Sequence, residues 1–185
     1  MAITRLGGAN AITGTIPQGN IANASLGAVT ALPFSTGKVL QIQQVQTSTD
    51  TTISGTTFTD VGGLSIDVTP VSSTSKFFLS CDVAFRLATT SNNTEPNSNL
   101  RFTKDGSALF TEVTWGGFSM RQESSRTDTF LLVRDSRQFL DSGASHTAGS
   151  AVTFKVQAVT EGSSEALYFN ESNINSRFHV MEIEA

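Results

Sequence analysis

The chain has 185 residues, of which 15% are charged, and a formal net charge of −4. With only 12 basic residues, it is a poor candidate for binding nucleic acid, because that affinity grows with the number of Lys and Arg that displace counterions. No stretch approaches the roughly 20 apolar residues of a membrane-spanning helix, and no apolar core of a signal peptide is present. We therefore expect synthesis in a reducing cytoplasm, without a membrane or nucleic-acid partner.

The first 36 residues carry one charge, Arg5, and no aromatic residue before Phe34. Their apolar residues follow neither the helical period of 3.6 nor the strand period of 2. A disordered leader without a role is one interpretation, since termini are often disordered. Disordered tails are usually rich in Glu, Lys and Pro, however, whereas this segment repeats Ile and Leu. We predict an extended anchoring arm over residues 1–36, and its contact residues are Ile3, Arg5, Leu6, Ile12, Ile16, Ile21, Leu26, Leu32 and Phe34.

Residues 37–185 begin with β-branched and apolar segments separated by turn residues. The predicted strands are Lys38–Gln46, Thr51–Asp60, Leu64–Thr69 and Lys76–Ala88. A glycine turn at residues 61–63 is expected to separate the second strand from the third. The fourth alternates at a period of two and should present one face to the core. That face contains Phe77, Leu79, Cys81, Val83 and Phe85.

The second part of the body continues this pattern. Asp105-Gly106 is a tight-hairpin signal between Leu100–Thr103 and Ala108–Val113. Further predicted strands are Thr127–Arg134, Val152–Val159, Ala166–Phe169 and Arg177–Ile183, with a short one at Phe118–Met120, and Phe139-Leu140 lies just before a loop. Polar loops are expected at Thr89–Asn99 and Asp141–Gly149. Nine or ten strands without a helix predict an all-β fold, an antiparallel β-sandwich or jelly-roll-like domain over residues 37–185.

The sequence offers little catalytic chemistry. His146 and His179 stand far apart without a spacing that brings metal ligands together. No Gly-x-Ser-x-Gly motif is present, and Cys81, the single cysteine, lies in an apolar run typical of a buried thiol. Possible carboxylate pairs for glycan hydrolysis are Asp60 with Asp67, Asp82 with Asp128, and Glu182 with Glu184. Glu182 and Glu184 are expected to be solvated, so we predict no enzyme activity, metal or cofactor.

Two further features concern interactions. Four arginines, Arg121, Arg126, Arg134 and Arg137, alternate with acidic residues in a short window, which favours ion pairs between strands or subunits. Trp115 precedes Gly116-Gly117. A tryptophan in this setting either anchors packing beside a turn or stacks on a sugar. Both interpretations of Trp115 stay open.

Several stretches resemble small structural proteins of tailed bacteriophages. They include GKVLQIQQVQTSTDTTISGTTFTDVGGLSIDVTPVSSTSKFFLSCDVAF, FLDSGASHTAGSAVTFKVQAV, ALYFNES and SRFHVMEIEA, which cover most of residues 37–185. The opening MAITRLGGANAITGTIP is similar to the start of phage proteins that attach to the particle by their N-terminus. Such proteins are described as tail fibres, head fibres or capsid decoration proteins.

The resemblance implies a jelly-roll-like sandwich that forms a homotrimer in the virion, assembled in the host cytoplasm. Its partners would be the major capsid protein or other virion proteins. The chain has no shaft repeats or coiled-coil heptads, so a decoration or cement protein fits better than a long fibre. The alternative is a head- or tail-fibre protein that recognises a host surface glycan through the two polar loops and Trp115.

Overall fold

The computed structural model describes residues 37–89, 97–110, 118–119, 129–143, 145–171 and 174–185, with the backbone alone at 118–119 and 129–131. These ranges contain eleven strands: β1 Val39–Thr47, β2 Thr51–Ser54, β3 Thr59–Val68, β4 Lys76–Thr89, β5 Asn97–Lys104, β6 Ser107–Ala108, β7 Phe118–Ser119, β8 Thr129–Asp141, β9 Val152–Thr160, β10 Glu165–Phe169 and β11 Ser176–Ile183. The arm of residues 1–36 and Trp115 lie outside the described residues, so the predicted two-part organisation stays a prediction.

The larger sheet, sheet A, is built around β4. Strand β8 pairs with β4 along nearly its whole length, from Phe77 opposite Asp141 to Thr89 opposite Thr129. The other side of β4 is shared, because β11 pairs with its first half and β10 with its last residues. Strands β1 and β2 then pair with β11 and β10. Sheet A is therefore four strands wide, with β8 at one edge.

The smaller sheet, sheet B, has the order β3-β9-β5, and β6 and β7 pair with opposite ends of β5. All strand pairs described in both sheets are antiparallel. The sheets form a sandwich, as the sequence predicted.

Alternation along β4 determines which side chains enter the core. The five residues predicted to face inward, Phe77 to Phe85 at every second position, are at most 1% exposed. Phe102 and Phe154 of sheet B are buried in the same core. The core is rich in phenylalanine rings, and Phe77 lies 5.0 Å from Phe154 between ring centroids. Phe102 stacks on Phe178 at 5.7 Å.

The predicted turn at residues 61–63 was wrong. Strand β3 continues through these residues with a register shift between Asp60 and Ser65. Gly63 has φ +77°, and a Cβ there would overlap the side chain of Thr47. The glycines therefore serve a bulge inside a strand, and the chain instead breaks between β2 and β3, where Gly55 has φ +99°.

Two other predictions concern local elements. The Asp105-Gly106 hairpin is confirmed, with φ of 48° and 81° at the two turn residues, as a tight hairpin turn requires. The predicted end of a strand at Arg134 was wrong, because β8 runs unbroken from Thr129 to Asp141 and includes Phe139-Leu140. Residues 134–138 are polar, and an edge strand can carry polar residues.

Candidate functional site

A buried carboxylate organises one end of the sandwich. Glu182, near the end of β11, is 0% exposed. It accepts hydrogen bonds from Ser75 Oγ at 2.6 Å, Gln41 Nε2 at 2.6 Å, Val71 N at 2.8 Å and Ser72 N at 3.3 Å. Burial by itself raises the pKa of Glu182, but these hydrogen bonds outweigh it and leave the pKa below 4.5. The prediction of a solvated Glu182 was wrong.

The same cluster contains a serine and a histidine. Its geometry can therefore be compared with the catalytic arrangement of a serine hydrolase. Ser75 Oγ lies 3.3 Å from His146 Nε2, and that nitrogen lies 2.9 Å from the Ser72 carbonyl oxygen. A carbonyl only accepts, so His146 Nε2 carries a proton and donates it to Ser72. The proton of Ser75 goes to Glu182 or to the Ser72 carbonyl oxygen at 2.8 Å.

A serine nucleophile needs a histidine that accepts its proton and a carboxylate that orients that histidine. Here the carboxylate binds the serine directly, and Ser75 is 0% exposed. His146 Nδ1 is buried without a hydrogen-bond partner among the described residues. The cluster therefore acts as a clamp that holds the loop before β4 against β11.

A second polar group lies at this end. Lys104 Nζ and Asp141 Oδ2 form an ion pair at 2.8 Å, and their side chains are 6% and 10% exposed. Lys104 Nζ also lies 3.4 Å from Ser145 Oγ, in the loop predicted to be Asp141–Gly149. A cleft of about 330 Å³ opens beside Lys104, Ser107 and Ser145. The charge of Lys104 is neutralised by Asp141, and the cleft is also lined by Asp105, Ala108 and Leu109, so it offers an acidic group, hydroxyls and apolar contacts.

The outer face of sheet A carries an exposed apolar row. Cross-strand register places Ile42 opposite Met181, Met181 opposite Phe78, and Phe78 opposite Leu140. Ile42 is 58% exposed and Leu140 is 48% exposed. Directly opposed side chains in antiparallel strands are near neighbours on one face. We call Ile42, Met181, Phe78 and Leu140 the apolar row.

On one side of the apolar row, the neighbouring positions of this face are polar. His179 stands opposite Ser80, beside Gln44, so it faces outward and takes no part in the Glu182 cluster. Of the four arginines in the predicted cluster, the structure describes Arg134 and Arg137. Arg134 pairs with Asp82 across strands at 2.7 Å, and Arg137 pairs with Asp135 at 2.7 Å. The predicted ion pairs between strands are confirmed for Arg134.

The remaining candidates have structural partners. Asp60 binds Lys155 and Gln157, and Asp67 accepts a hydrogen bond from Thr153. Burial raises the pKa of the Cys81 thiol to about 12, which fits an inert side chain. The described residues contain no cluster of three potential metal ligands. In the same part of the chain, no helix has the length and apolar character to cross a membrane.

Sequence reasoning missed the Lys104–Asp141 pair and the apolar row. The row depends on strand register, which no local pattern determines. The predicted strand ended at Arg134, so Leu140 was not assigned to a strand, whereas the structure places it in β8 opposite Phe78. The buried position of Glu182 was readable from alternation with Phe178 and Val180, which are at most 1% exposed.

No protein-family model and no curated protein matches this chain. Its fold is weakly similar to several solved structures, two of which are described next. The dimeric latent PorU from Porphyromonas gingivalis aligns at TM-score 0.37 and 8% identity, over 80% of this chain and 13% of that one. The structure of infectious bursal disease virus, Gt strain, aligns at TM-score 0.32 and 10% identity, over 81% and 39%. The second is a weak similarity to a viral protein, and both TM-scores are too low to carry a functional argument.

Proposed function

We propose that this chain is a non-enzymatic structural protein of a tailed-phage virion, a trimeric capsid decoration or cement protein that docks on the shell through residues 1–36. The observation that carries the proposal is the apolar row on the outer face of sheet A. Contiguous exposed apolar surface is typical of interaction sites. The resemblance of the quoted stretches to phage structural proteins supports the virion as the place of that interaction.

The second support comes from the end of the sandwich that holds Glu182, Ser75 and His146, which we call the loop end. The groups there that resemble a catalytic set are engaged with one another, and Ser75 is inaccessible. In the described part of the chain, these candidate catalytic groups have structural partners and the apolar row lies on the outer face of sheet A, which suits an assembly role. Its action would be thermodynamic. Binding to the assembled shell and not to free subunits stabilises the shell by mass action, and a trimer strengthens weak contacts through effective concentration.

The anchoring claim is tested by co-sedimentation with assembled phage shells. We expect the chain without residues 1–36 to stay in the supernatant while the full chain pellets. A full-length variant with Ile12→Asp and Ile16→Asp should also lose binding, because both substitutions place a charge on the anchoring side chains. The matched control adds the same charges at polar positions, Asn10→Asp and Asn20→Asp. Full binding by the truncated chain would refute the anchoring arm.

A second candidate function is glycan recognition by a head- or tail-fibre protein. The cleft beside Lys104, Ser107 and Ser145 favours it, because polar side chains there border the loop predicted to bind a sugar. A glycan array with the full chain tests this function. Specific binding that is lost on Ser145→Ala or Trp115→Ala would support recognition, and an array without a hit would count against it.

A further inference from the structure

Within the part of the chain that the structure describes, strand β8 forms one edge of sheet A, because β4 is the only described strand that pairs with it. An edge strand of this length presents a row of backbone donors and acceptors that can template another strand. Proteins usually protect such edges with inward-facing charges. Strand β8 has three of them, Asp135, Arg137 and Asp141, of which Asp141 is paired with Lys104 of sheet B.

The sequence of β8 is nearly symmetric about Ser136. Moving outward from Ser136 in both directions, the residues pair as Asp135 with Arg137, Arg134 with Gln138, Val133 with Phe139 and Leu132 with Leu140. Each pair has matching character: opposite charges, two long polar side chains, two inward apolar side chains and two outward leucines. Because the two members of each pair suit each other, the strand can pair in antiparallel fashion with a second copy of itself.

We propose that β8 pairs in antiparallel fashion with β8 of a second copy of this chain, with Ser136 opposite Ser136. This contact is isologous, because each residue meets its counterpart twice around a twofold axis. The two copies of sheet A would join into one continuous sheet. The proposal rests on the edge and its sequence alone and does not depend on the proposed function.

Charge complementarity fixes the register. Arg137 Nε donates to Asp135 Oδ2 at 2.7 Å within one chain. In the proposed register each of these residues also stands opposite its counterion in the second copy, so four charges alternate in sign. Moving the centre by one residue places Asp135 opposite Asp135 or Arg137 opposite Arg137. Like charges directly opposed in a sheet are destabilising. Asp135 and Arg137 therefore disfavour the shifted registers and favour the register centred on Ser136.

The outer face gives independent support. Leu132 is 60% exposed and Leu140 is 48% exposed, and the proposed register sets each leucine opposite the other in the second copy. The apolar row of Ile42, Met181, Phe78 and Leu140 would then continue to Leu132 of the second copy. A single twofold axis thus gives both Leu132 and Leu140 an apolar neighbour in the second copy.

Oxidative cross-linking tests the register directly in the full-length chain. Opposed Cα atoms of antiparallel strands lie about 4.5–5.5 Å apart, which is within disulfide range. Ser136→Cys should therefore give a covalent dimer. In the control Gln138→Cys, the two cysteines are offset by four residues, or about 13 Å, and should not cross-link. Adding Arg134→Cys to Gln138→Cys should restore the dimer. Cys81 is buried and should not contribute.

Sedimentation equilibrium tests the energetics. Leu140→Lys should weaken association at least about tenfold, because the charge enters the interface twice by symmetry. Leu132→Asp should do the same. The double variant should recover association, since Asp at 132 then faces Lys at 140. Both leucines are exposed, so circular dichroism should show unchanged folding in all three variants.

The outcomes separate this proposal from the proposed function. An isologous contact joins two chains or two trimers, so the wild-type mass should be that of a dimer or a hexamer. A monomer or an isolated trimer, equal cross-linking at positions 136 and 138, or unchanged association of Leu140→Lys would each overturn the pairing. None of these results bears on whether the chain binds a phage shell.

Discussion

The loop end of the sandwich and the β8 edge contain similar residues in opposite situations. At the loop end, the carboxylate of Glu182 receives its hydrogen bonds from within the chain, and Lys104 is paired with Asp141. At the β8 edge, Leu132 and Leu140 face solvent, and the charges of Asp135 and Arg137 are ordered symmetrically about Ser136. At both places the described polar groups are paired within the chain, so it is the exposed leucines of the β8 edge, rather than its charges, that favour contact with a second copy.

The largest expected effect comes from the buried ion pair. Lys104→Met leaves Asp141 as an uncompensated charge at 10% exposure, which should lower the free energy of unfolding by about 3–5 kcal/mol. The matched control is Arg134→Met, whose pair with Asp82 is exposed and should cost under about 1 kcal/mol. Urea denaturation measures both. Equal losses of unfolding free energy in the two variants would show that the buried pair at the loop end contributes no more than the exposed pair on β8.

A slightly smaller loss is expected for Glu182→Ala. The substitution removes the acceptor for two backbone N–H groups and for Ser75, and unsatisfied buried groups cost about 1–3 kcal/mol each. Partial repacking should hold the total loss near 3 kcal/mol. Glu184→Ala, two residues along at a half-buried position, should change stability by less than about 0.5 kcal/mol. If Glu182→Ala left the free energy of unfolding unchanged, Glu182 would not hold the loop before β4 against β11.

Strand existence and the core face of β4 followed from the sequence because alternation of Phe77 to Phe85 is a local signal. The Asp105-Gly106 turn was equally local. The role of Gly63 could not be assigned from the sequence, because a glycine with positive φ serves both turns and bulges, and its close approach to Thr47 is a tertiary contact. The apolar row was inaccessible for a similar reason: it joins residues from four strands, and register sets it. The arm and Trp115 remain predictions.

Acidification should weaken the loop end selectively. The pKa of Glu182 is lower in the folded chain than its ordinary value of 4.5, so the unfolded chain takes up its proton first as the pH falls. The stabilisation is complete above pH 4.5 and is lost as the pH drops through the lower, folded pKa. Glu182→Gln should flatten this part of the stability curve. An acid dependence identical to that of the wild type would exclude Glu182 as its source.

The smallest effect on folding is expected on the outer face. Ile42→Ser should change the unfolding free energy by less than about 1 kcal/mol, since this side chain is 58% exposed. If the apolar row is an interaction surface, the same variant should bind assembled shells more weakly. Gln44→Ser alters a polar position on the same face and is the control. Equal binding of assembled shells by Ile42→Ser and Gln44→Ser would show that the apolar row does not contact the shell.

The most direct test of the proposed virion role is electron cryomicroscopy of purified particles of a tailed phage whose genome encodes this chain. The account predicts ordered copies of the β-sandwich on the outer surface of the shell, with residues 1–36 in contact with the shell. Copies confined to the end of a tail would favour the receptor-binding alternative and contradict the decoration role. Particles that contain no copy of the chain would contradict the structural role altogether.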